Sequence, residues 1–150
     1  MKEKLIEFGF SKIPNSNLLQ MQDTLIYLTK TDLKTRIFSV EEFNIHYSSL
    51  ENHFEHVFIL VEIEKPDKYL LIEKSIKNPD FGIYRRNKIG TPIWKYRFDV
   101  IPAMNKDTAS IVAVQNIYKL NNEKLDTEVL LDEESIFCIL SDYVKESVGG

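Results

Sequence analysis

The apolar positions Val40, Phe43, Tyr47, Leu50, Phe54 and Val57 are spaced 3, 4, 3, 4 and 3 residues apart. That rhythm draws one stripe down a helix, and Ser39 followed by Glu42 has the spacing of a capping box at its start. Within the same segment Phe43, Ile45 and Tyr47 also alternate, which is the competing strand pattern, but six positions fit the helix and three the strand. The rhythm then changes. VFILVEIE (57–64) is a nearly continuous apolar run, as expected of a strand covered on both faces.

Other segments read more simply. Lys2 to Phe8 predicts a short helix closed by Gly9, and Asn15-Ser16-Asn17 a turn. DTLIYLT (23–29) and KTRIFS (34–39) predict two strands joined around Thr31-Asp32. After the apolar run, Lys65-Pro66-Asp67-Lys68 suits a turn and YLLIEK (69–74) a returning strand. FGIYRR (81–86) and PIWKYRFDVI (92–101) predict a hairpin; ASIVAVQNIY (109–118) and LDTEVLL (125–131) add strands. Asp132 caps a last helix over about 133–147, with Ile136, Ile139, Leu140, Tyr143 and Val144 on its buried face. The expectation is one compact α+β domain over 1–150. It combines a mainly antiparallel sheet with a short N-terminal helix, an internal amphipathic helix over about 40–56 and a C-terminal helix.

Composition narrows the class. A chain of 150 residues with 43% hydrophobic and 28% charged residues can bury a core without staples. No apolar run approaches the ~20 residues that span a bilayer, and the N-terminus lacks the pattern of a signal peptide. Cys138 is the one cysteine, so an internal disulfide is excluded. The expectation is a cytoplasmic protein with no membrane partner. Only four of the 19 basic residues are Arg, and with many Ile and Asn this usage suggests an AT-rich bacterial or phage gene.

Charge changes the picture more. Residues 1–64 hold six basic and ten acidic side chains, residues 65–97 nine and three, and residues 98–150 four and ten. A protein of net charge −4 thus has a basic middle third of +6. Within it, Arg85, Arg86, Lys88, Lys95 and Arg97 interleave with Phe81, Tyr84, Trp94, Tyr96 and Phe98. Strict alternation would send Trp94, Tyr96, Phe98 and Val100 to one face and Ile93, Lys95, Arg97 and Asp99 to the other. Such a hairpin is either a solvated basic face, a contact for an acidic protein, or a single-strand nucleic-acid surface in which cations track phosphates and rings stack on bases.

Candidate chemistry is sparse. His46, His53 and His56 lie in HYSSLENHFEH; on a helix the first two are ~10.5 Å apart along the axis and cannot share an ion. His53 and His56 would need a third ligand from elsewhere, and neither H-E-x-x-H nor the deaminase H-x-E with P-C-x-x-C is present. Glu62-Ile63-Glu64 places two acids on one side of a strand, as metal-dependent nucleases do, yet the lysine usual two residues on is absent. There is no G-x-S-x-G elbow, P-loop or G-x-G-x-x-G cradle, so no cofactor is expected, and Cys138 in IFCIL reads as a small core residue. Gly149-Gly150 follows the last helix directly and reads as its stop.

These observations favour a non-enzymatic binding protein of the inhibitor, immunity-protein or antitoxin type, with a protein partner and with Arg85, Arg86, Lys88, Trp94, Lys95 and Arg97 as contact residues. A nucleic-acid module using hairpin 81–98 is the first alternative, and a metal-dependent hydrolase using Glu62 and Glu64 the second. Oligomeric state leaves no signature in the pattern.

Overall fold

The computed structural model describes residues 1–31, 38–39, 53–64, 67–74, 80–86, 89, 92–102, 109–111 and 129–149. For 31, 38–39, 74, 80–81, 93–102, 109–111 and 145–149 the description is of backbone only. The chain opens with α1 (Lys2–Phe8), then β1 (Ser11–Lys12), β2 (Leu18–Met21), β3 (Thr24–Thr31) and β4 (Phe38–Ser39). There follow β5 (His56–Ile63), β6 (Lys68–Lys74), β7 (Asp80–Arg86), β8 (Pro92–Pro102), β9 (Ala109–Ile111) and α2 (Glu133–Gly149). The architecture is α+β, with the strands in the order β1-β2-β3-β5-β6-β7-β8-β9-β4. β3 and β5 are parallel and the remaining neighbours antiparallel, so the sheet is mixed.

β5 explains this arrangement. Val57, Phe58, Ile59, Leu60, Val61 and Ile63 are all buried, so the strand carries apolar side chains on both faces. It therefore takes a central place between β3 and β6, two further apolar strands. Ile26, Phe58, Leu60 and Leu71 lie on the face covered by Leu5 of α1 and by Ile136, Ile139 and Leu140 of α2. On the opposite face Leu25, Val57, Ile59, Val61, Leu70 and Ile72 are also buried.

Several expectations need correction. β3 and β4 do not form neighbouring strands: β3 pairs with β5, and β4 sits at the far edge beside β9. Pairing β3 with the doubly apolar β5 buries more surface than pairing it with KTRIFS. The hairpin of β2 and β3 escaped the sequence reading because its turn lacks glycine; Gln22 takes the left-handed conformation at φ 53°. Most of the expected internal helix, 40–52, lies outside the described residues. His53 still lies in a 3-10 turn, but Phe54 to His56 are not helical, because His56 opens β5 and its N–H donates to the Asp23 carbonyl at 3.0 Å. Of strand 109–118, residues 109–111 form β9 and 112–118 lie outside the described residues, as do 125–128 of strand 125–131. Leu131 makes an isolated antiparallel bridge with Tyr69. Cys138 is exposed rather than in the core, because α2 turns Ile136, Ile139 and Leu140 inward and leaves position 138 outside. The final helix runs to Gly149, past the expected end at 147.

α1 ends as expected. Gly9 sits at φ 132°, where side chains are rarely tolerated, and its N–H closes the helix on Leu5 and Ile6 carbonyls. A Cβ there would stand 2.7 Å from Met21 Sδ. Gly9→Ala is expected to destabilise the fold by about 1–3 kcal/mol, read as a lower urea midpoint with unchanged m.

Candidate functional site: the basic hairpin and the polar seams of the helix face

The hairpin of β7 and β8 exists as expected, and its register shows what it brings together. Arg86 stands opposite Pro92, Arg85 opposite Ile93, Tyr84 opposite Trp94, Ile83 opposite Tyr96 and Gly82 opposite Arg97. Between Ile83 and Tyr84 the register shifts, leaving Lys95 without a direct counterpart. A register shift of this kind interrupts the regular cross-strand pairing at this point of the hairpin. For Trp94, Lys95 and Arg97 only backbone positions are described, and Lys88 lies outside the described residues. Ile89, in the connection between the strands, is 87% exposed.

The two arginines part company. Arg85 is half-buried on the face opposite Arg86. Arg86 turns toward α2, where its Nη2 lies 2.6 Å from Asp132 Oδ2 and donates to Ser135 Oγ at 3.2 Å. Asp132 is also the expected helix cap, its Oδ1 accepting the Ser135 N–H at 2.8 Å. Arg86 thus ties β7 to the start of α2. Its Nε is buried with no hydrogen-bond partner among the described residues. A second tie links the two helices, with Lys4 Nζ 2.6 Å from Glu133 Oε1; this bond raises the Lys4 pKa above its usual value.

A polar cluster that no local pattern announced lies under the second half of α2. Tyr84 and Tyr143 hydroxyls lie 3.0 and 2.9 Å from the same oxygen, Glu73 Oε2, and touch one another. Two phenols hold two protons, so the three contacts carry two hydrogen bonds at a time. Burial, then the Glu73 charge, pushes the Tyr84 phenol far above its usual range, so it remains a donor. His56 and Phe58 meet the Tyr143 ring edge-on, with centroids 4.7 and 5.0 Å away. The partners are 11, 59 and 70 residues apart in the chain, which is why no motif reveals them. Chemically, the arrangement saturates one carboxylate oxygen and pins α2 to β6 and β7.

The remaining candidates are dispersed. His53 is exposed ahead of Phe54, His56 belongs to β5, and His46 lies outside the described residues. Glu62 is half-buried with Lys30 Nζ 3.8 Å away, and Glu64 is exposed in the turn after β5. Among the described residues no three His, Cys, Asp or Glu side chains come together as metal ligands, and no helix is long and apolar enough to cross a membrane. Comparison with family models, with characterised proteins and with solved structures returned no match to this chain.

Two measurements probe these seams. The hydrogen bonds from Ser135, then the Arg86 ion pair, lower the Asp132 pKa from 3.8 to about 2. A depressed carboxyl pKa contributes stability above the unfolded value and loses it as pH falls through the folded one. Stability from this cap should therefore decline between about pH 4 and pH 2. Asp132→Asn should flatten that part of the pH–stability curve, measured by urea unfolding at each pH. Tyr143→Phe should cost about 1 kcal/mol and Glu73→Ala about 2 kcal/mol or more, because the latter leaves both phenols without their acceptor. The double variant should cost less than the sum, measured in the same urea assay.

Proposed function

We propose that this protein is a non-enzymatic binding protein of the inhibitor, immunity-protein or antitoxin type, which contacts an acidic face of a protein partner through the β7–β8 hairpin. The observation that carries this reading is the pairing of β7 with β8 itself. It joins basic residues more than ten positions apart into one two-stranded unit, Arg85 beside Ile93 and Gly82 beside Arg97, with exposed Ile89 in the connection. An apolar side chain within a cationic segment suits a contact in which charge steers the encounter and a small desolvated centre holds it. Arg86, held by Asp132 and Ser135, drops out of the contact set; Arg85, Lys88, Trp94, Lys95 and Arg97 remain in it. The acidic flanks, −4 and −6 to either side of the +6 segment, disfavour a polyanion such as nucleic acid over a protein of mixed charge.

The decisive comparison is between wild type and Lys95→Glu/Arg97→Glu. A captured protein should be held about tenfold more weakly by the folded double variant, measured by quantitative pull-down and titration calorimetry. Equal capture would remove the hairpin from the contact. Titration of labelled single- and double-stranded DNA and RNA at about 50 and 200 mM salt separates the nucleic-acid alternative, which demands steeply salt-dependent binding.

A further inference from the structure

Among the described residues, β3 outruns its edge partner β2. β3 is eight residues long and β2 only four, and their pairing begins at Leu18 opposite Tyr27. One bond extends it, from the Leu28 N–H to the Asn17 carbonyl at 2.9 Å. Backbone groups alternate sides along a strand, so Thr24, Ile26, Leu28 and Lys30 direct theirs toward β2, and the intervening residues direct theirs toward β5. At Lys30 the β2 side has no strand left among the described residues. Among the described residues nothing pairs with its N–H or C=O, although the β3–β5 ladder continues past it to Thr31 opposite Ile63.

A cleft of about 530 Å³ opens beside this position. Asn17, Leu28, Thr29 and Lys30 form one wall, and Leu60 and Tyr69 contribute from β5 and β6. Lys30 and Glu62 share the face that carries Leu28 and Leu60, so a residue paired with Lys30 would direct its side chain into the cleft. The other sheet edge of this half is protected differently: β1 is two residues long and ends in Lys12, which discourages strand addition.

We propose that the Lys30 edge of β3 is a strand-addition site, which takes an extended peptide segment of a partner protein antiparallel to β3 and in line with β2. Backbone bonds to Lys30 hold the segment, and one side chain enters the cleft, where Leu28 and Leu60 are flanked by the charged Lys2, Glu3 and Glu62. An extended peptide is the occupant that the site specifies, because the unmet groups are a backbone donor and acceptor at strand spacing. The site is separate from the β7–β8 hairpin and stands whether or not the hairpin binds a partner.

The test is a selection of random linear heptapeptides on the full-length wild-type protein, followed by binding measurements on Lys30→Pro and Lys30→Ala. Proline removes the outward N–H without touching the ladder to β5, whereas alanine keeps the backbone and removes only the side chain. The selected peptides should bind Lys30→Pro about tenfold more weakly and Lys30→Ala within about twofold of wild type. A second readout needs no variant: the selected peptide should slow exchange of the Lys30 amide hydrogen in the wild-type protein. Failure to select any peptide overturns the proposal. So does equal binding to the proline variant, or binding that leaves the Lys30 amide unprotected; these would make the cleft a side-chain pocket only.

Discussion

The structure depends on one strand that must be covered on both faces. Within β5 only His56 and Glu62 reach solvent appreciably, and each fully buried apolar side chain there contributes roughly 1.5–3 kcal/mol. A strand of this kind is stable only at the centre of a sheet with material on either side. Much else follows: the parallel partner β3, the displacement of β4 to the far edge, and the packing of α1 and α2 on one face. The two polar residues of β5 sit near opposite ends of the helix-covered face. His56 meets Tyr143, and Glu62 meets Lys30.

The helices are held by more than apolar contact. Arg86, Asp132 and Ser135 fasten the start of α2 to β7, and Glu73 with its two tyrosines fastens the second half to β6 and β7. The two ties differ in kind. The first is a partly exposed ion pair whose worth rests mainly on the cap that it accompanies. The second places phenol hydroxyls in a half-dry seam, where an acceptor must be present because its loss is expensive. The Lys4–Glu133 pair is more exposed and adds orientation more than energy.

The same geometry reshapes the functional reading. A basic residue in the sequence is a candidate contact until the fold commits it elsewhere, and Arg86 is so committed. The register also places the β7–β8 connection and the Lys30 edge at the same end of the sheet, since β3, β5 and β7 all finish there.

How much was legible in the sequence varied with the range of the interaction. α1 with its Gly9 stop, the Asp132 cap, the buried face of α2, and the strands β5 to β8 follow from local periodicity, which acts over a few residues. Periodicity misled at Phe54 and Val57, which fit a helical stripe although Val57 belongs to β5; the 3-4 spacing and a strand's own apolar residues overlap there. It was silent on the β2–β3 turn, where Gln22 adopts a conformation that glycine would have signalled. The bulge opposite Tyr84, the commitment of Arg86 and the meeting of Glu73, Tyr84 and Tyr143 depend on which strands become neighbours. The amino-acid order by itself determined the elements, the doubly apolar strand and the segregation of charge. Only the tertiary structure decided which strands became neighbours and that Arg86 met Asp132 and Ser135, because pairing and burial are set between residues far apart in the chain.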